Sequence, residues 1–117
     1  MPKAKFPENM NKTEKAVLGH LLQSILQYPY FKIEVRCGED GDTLCPATRN
    51  RKDIKSNSGA SDITEWHIQN KNQAFIGYIL LVHGNGLDVI SDYTINFETI
   101  IAPTREYCDY LEEKQNA

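Results

Sequence analysis

A chain of 117 residues with a formal net charge of −3 is sized for one domain, with enough length to bury a core without disulfides or a structural metal. With 40% hydrophobic and 25% charged residues it is not broadly disordered, and its acidic balance argues against coating nucleic acid through a basic field. The longest apolar run, 74–82, is too short to cross a bilayer as a helix, so no membrane partner is expected.

MPKAKFPENM has two lysines but no apolar region after them, so it is not a secretory signal and reads as a flexible arm over residues 1–10. A single domain is expected over 11–114. Asn11-Lys12-Thr13-Glu14 has the form of a capping box. After it Val17, Leu18, Leu21, Leu22, Ile25 and Leu26 form one apolar stripe at helical spacing, and Pro29 ends the helix. Phe31, Ile33, Val35 and Cys37 alternate with Lys32, Glu34 and Arg36, the period of a half-buried strand. Gly38 to Asp42 is turn chemistry. Residues 47–61 are polar and aperiodic and predict a long loop, with at most one helical turn over 49–55.

Residues 63–69 predict a strand with Thr64, Trp66 and Ile68 on one face, and 74–82 a central strand. Asn85-Gly86 predicts a two-residue type I′ hairpin, because both positions of that turn need positive φ. The returning strand, 87–93, then sets Val82 opposite Val89, Leu81 opposite Ile90, Ile79 opposite Asp92 and His83 opposite Asp88. A last helix, capped by Thr94 or Asn96 and aided by Asp92, carries Phe97, Ile100, Ile101, Thr104, Cys108 and Leu111 on one face. Pro103 should kink it or start a second helix, and Glu112 and Glu113 oppose its dipole, so its end should fray. The expected class is α+β: an antiparallel sheet of about four strands packed against an N-terminal and a C-terminal helix.

His83 directly across from Asp88 is a pair that can act as an oriented general base. An ion pair at an exposed hairpin tip is also ordinary surface chemistry, and no serine or cysteine is placed as its nucleophile. No catalytic residue is assigned. Gly84-Asn85-Gly86 lacks the lysine and the strand–loop–helix order of a phosphate loop. Cys37, Cys45, His67 and His83 lack the close spacing of zinc ligands, so no metal or cofactor is expected. Without a signal peptide the three cysteines read as reduced cytosolic thiols, with a Cys37–Cys45 bridge the only pairing worth naming. Arg49, Arg51, Lys52 and Lys55, with Arg36 nearby, form the one basic cluster of an acidic chain. They fit a phosphate or an acidic partner surface, or simply a solvated loop. Trp66, Asn85 and the six tyrosines complete the binding candidates, although a tryptophan in this setting is more often a core anchor than a ligand platform.

Gly77-Tyr78, Gly84-Asn85-Gly86, Asp-Val-Ile-Ser-Asp-Tyr-Thr at 88–94 and the segment 96–103 with its proline form a pattern. It resembles the C-terminal half of small proteins encoded by bacteriophages and prophages, over roughly the last third of this chain. The resemblance implies a phage or prophage product acting in a bacterial cytoplasm and implies no particular chemistry. The leading expectation is a non-enzymatic accessory protein that binds a bacterial host protein, for counter-defence or host takeover. A binder that sequesters a nucleotide signal is the alternative, and a small hydrolase using His83 and Asp88 is third. A homodimer through an edge strand or the terminal helices is a further expectation.

Overall fold

The computed structural model describes residues 10–116. The expected N-terminal arm lies outside the described residues except for Met10, which is buried in the core. The elements run α1 (Lys12–Leu26), β1 (Lys32–Cys37), β2 (Thr43–Thr48), α2 (Arg51–Ser58), β3 (Ile63–Gln69), β4 (Phe75–Val82), β5 (Ile90–Tyr93) and α3 (Glu98–Gln115). Single 3-10 turns occupy Gly86–Asp88 and Ile95–Phe97. The fold is α+β, with five strands rather than four, in the order β2-β1-β3-β4-β5 and antiparallel throughout.

Alternation decides which side of the sheet is covered. Ile33 and Val35 of β1, Thr64, Trp66 and Ile68 of β3, and Ile79 and Leu81 of β4 are buried on one face. The apolar stripe of α1 meets that face as its spacing predicts, with Val17, Leu18, Leu21, Leu22, Ile25 and Leu26 all buried. The described helices pack on this side. No described element covers the other.

β2 forms over 43–46, where no element was expected, and over the first two residues of the segment expected as a long loop, whose middle is ordered as α2. Pro46 and the lack of alternation hide β2, and α2 has only Ile54 as an apolar anchor in eight residues. Asn50 caps α2 by accepting from the Asp53 N–H at 3.2 Å.

The tight type I′ turn is not formed. Gly84 (φ 97°) and Gly86 (φ 59°) supply the positive angles, while Asn85 sits at φ −95°. A wider loop lets Val89 bury fully and Leu87 pack on the core beside α1, and that burial prevails over the local turn preference. Leu81 still pairs with Ile90, and the Val82 N–H donates to the Val89 carbonyl at 2.9 Å. A bulge between Leu80 and Leu81 then sets Asp92 opposite Leu80 and Tyr93 opposite Ile79, one residue off the expected register.

No second helix begins at Pro103; α3 runs as one element and lies antiparallel to α1. Ser24 of α1 donates to the Ile100 carbonyl (2.9 Å), in the turn that the proline weakens, and His20 Nδ1 lies 2.9 Å from Thr104 Oγ1. At its far end, where fraying was expected, Gln115 donates to Thr13 Oγ1 at 3.1 Å. Neither expected cap serves α3. Thr94 accepts from the Tyr78 N–H, Asn96 donates to the Ile76 carbonyl, and Asp92 points away onto the open face. Gly77 has no room for a side chain: an added Cβ would lie 2.7 Å from the Phe97 ring.

Both sheet edges are guarded. Exposed Pro46 interrupts β2, and along β5 the Tyr93 N–H is taken up by the Asp92 carboxylate at 2.9 Å.

Candidate functional site

His83 and Asp88 are not a pair. His83 turns inward beneath the covered face, its side chain 11% exposed, and Asp88 stays at the surface. Its Nδ1 lies 2.7 Å from Glu14 Oε1, and its Nε2 lies 2.7 Å from Thr64 Oγ1. The second Glu14 oxygen accepts from the Gly84 N–H at 2.8 Å. Glu14 is fully buried and exchanges its expected capping-box role for this one; Asn11 alone caps α1, accepting from the Thr13 and Glu14 N–H groups. The Thr64 hydroxyl donates to the Ser58 carbonyl at 3.2 Å, which leaves its oxygen to accept from His83 Nε2.

A carboxylate, an imidazole and a hydroxyl in line invite comparison with a nucleophilic triad. The geometry argues otherwise. Both ring nitrogens are engaged, and Thr64 is fully buried, so its oxygen meets no substrate. A cleft of about 400 Å³ lies beside the relay, lined by Met10, Asn11, Gly59, Ser61, Asp62 and Gly84 together with Glu14 and His83 themselves, whose polar atoms are already engaged with one another, with Gly84 and with Thr64. Among the described residues every buried side-chain nitrogen or oxygen has a partner, and no group of three potential metal ligands gathers. The relay ties the start of α1 to the end of β4 and to α2.

The basic cluster is dispersed. Arg49 donates to the carbonyls of Leu26, Tyr28 and Phe31 at 2.6–2.8 Å, satisfying the end of α1 and the turn after it. Arg51 and Lys52 are exposed on α2, Lys55 is half-buried there, and Arg36 pairs with Glu34 at 2.9 Å on the open face. Trp66 is wholly buried, its indole N–H donating to Ser58 Oγ at 3.0 Å, so it offers no stacking surface. Asn85 is exposed at the loop tip. Cys37, Cys45 and Cys108 are free thiols; burial, then Asp53, raises Cys45 above the usual thiol range, and burial, then Asp109 and Asp88, raises Cys108.

The uncovered face of the sheet is the second candidate surface. Tyr78, Leu80 and Val82 of β4 point outward and are half-buried by their neighbours, and Ile63 lies opposite Val82. Phe75, 58% exposed, continues this apolar column at one end. One cross-strand row reads Thr43, Arg36, Glu65, Leu80, Asp92, and the next Glu34, His67, Tyr78. Glu65 lies 2.8 Å from His67 Nε2, and the Tyr78 hydroxyl donates to Asp92 at 3.3 Å. The charge and hydrogen bond of Asp92, with a smaller push from Glu65, hold the Tyr78 hydroxyl above the ordinary phenol range. The strand periodicities carried this signal, since the outward set of β4 is apolar where a solvated face is usually polar.

No family model, curated protein or solved structure matches the chain. No described helix is long and apolar enough to cross a membrane.

Proposed function

We propose that this protein is a non-enzymatic accessory protein of phage or prophage origin that binds a bacterial host protein in the host cytoplasm, in the service of counter-defence or host takeover. The observation that carries the binding reading is the uncovered sheet face with its apolar column along β4. The engagement of both His83 nitrogens supports it from the other side, because the best candidate base has no free position for a substrate proton. The nucleotide reading loses two of its parts, with Trp66 buried and Arg49 committed to main-chain carbonyls.

The test is capture from bacterial lysate on the immobilised protein, compared with a Leu80→Asp variant on the open face and an Asp62→Asn variant in the cleft. Saturable capture that the first variant loses more than tenfold and the second keeps is the expected result. Capture of nothing saturable, or capture indifferent to Leu80, would overturn the reading.

A further inference from the structure

We infer, resting on the proposal above, that the open face receives an amphipathic helix of the partner, its apolar stripe laid along β4 and its flanking lysines or arginines set against Glu65 and Asp92.

The first argument is the pattern across the strands. Leu80 has Glu65 directly beside it on β3 and Asp92 directly beside it on β5. At Leu80 the apolar column is therefore bordered by a carboxylate on each side, while His67 lies beside Tyr78 and Ile63 beside Val82. Neighbouring strands are about 4.8 Å apart, so the two acidic positions stand about 10 Å apart, close to the diameter of a helix with its side chains. Among the described residues neither Glu65 nor Asp92 forms an ion pair with a lysine or arginine, although Glu65 is paired with His67 and has Arg36 opposite it on β1; Glu34 on the same face is paired with Arg36. The raised Tyr78 hydroxyl reports the same local negative field.

The second argument is length. From Phe75 to Val82 the column covers seven strand steps, about 24 Å, which a helix spans in about 16 residues or four turns. The third is what the sheet excludes. An added strand would need an open edge, and Pro46 and Asp92 guard the two edges. A second copy laid face to face would bring Glu65 and Asp92 against a surface carrying the same two carboxylates, rather than against added positive charge. A basic amphipathic helix meets neither obstacle, and helices already pack the opposite face of the same strands.

The probe is a labelled leucine–lysine peptide of about 18 residues with leucines at helical spacing, compared by fluorescence anisotropy with a scrambled peptide and with a version carrying glutamate for lysine. The basic amphipathic peptide is expected to bind at least tenfold more tightly than either control. Leu80→Asp should abolish this binding, and the double variant Glu65→Lys, Asp92→Lys should shift the preference to the acidic peptide. Should the double variant not fold, Glu65→Gln and Asp92→Asn should each weaken the basic peptide about threefold. Equal binding of all three peptides overturns the inference, as does binding indifferent to Leu80. So does a self-associated protein that Leu80→Asp disperses in light scattering, since the occupant would then be a second copy. If the peptides fail while lysate capture still depends on Leu80, the helix inference falls and the broader reading stands. If capture is also indifferent to Leu80, both fall.

Discussion

Two glutamate–histidine pairs sit on opposite sides of this sheet. Glu14 and His83 meet at 2.7 Å on the covered side, with side chains 0% and 11% exposed. Glu65 and His67 meet at 2.8 Å on the open side, 29% and 15% exposed. The contact is the same; the surroundings are not. Inside, every lone pair and proton of the relay must be answered by another protein group, so the pair is bound into a closed chain through Gly84, Thr64 and Ser58. Outside, water answers part of the demand, and Glu65 keeps capacity for a further partner. The inner pair fastens the fold, and the outer one faces the solvent from which a partner would come.

The largest expected effect tests that division. Glu14→Ala leaves the buried ring nitrogen of His83 and the Gly84 N–H without their acceptor and should cost about 3–5 kcal/mol in denaturant unfolding, the range for breaking one side of a buried pair. Gly77→Ala, also on the covered side, forces a methyl into the Phe97 ring and should cost about 1–3 kcal/mol. Gln73 in the β3–β4 turn holds φ at 61°, so Gln73→Gly should raise stability by about 1 kcal/mol, visible as a higher unfolding midpoint. Glu65→Ala should change stability by no more than about 0.5 kcal/mol; a loss as large as that of Glu14→Ala would erase the contrast between the faces. The smallest effect is electrostatic. Because the folded Tyr78 hydroxyl titrates above its unfolded value, its contribution is complete below the ordinary phenol range and fades as pH rises through the folded one. Ultraviolet titration of Asp92→Asn should bring one tyrosine back toward the ordinary range.

Much of this arrangement could be read before the chain was seen folded, wherever apolar periodicity was strong. The α1 stripe and the alternation of 31–37 and 63–69 placed α1, β1 and β3 on their correct faces. β2 and α2 escaped because their stability comes from tertiary contacts, chiefly Cys45, Ile54 and the Ser58–Trp66 bond, and not from local pattern. Glu14 escaped for a subtler reason. Its place in an apparent capping box explained it too well, although it also stands four residues before Leu18, on the stripe that continues to Leu21 and Ile25. An acidic residue on an apolar stripe is a signal for a buried partner, here His83, 69 positions away. The pairing of His83 with Asp88 failed because two glycines around Asn85 widened the turn and let Leu87 and Val89 reach the core.

The antiparallel seam between α1 and α3 bears on how the protein is made. Ser24 reaches Ile100 and His20 reaches Thr104, separations of 76 and 84 residues. A ribosome adding about 5–20 residues each second needs several seconds to supply the second half of that seam. Throughout that interval the leucine stripe of α1 has emerged without its final cover. Completion of the seam must therefore follow the synthesis of α3, and until then the leucine stripe of α1 is open to aggregation and chaperone capture.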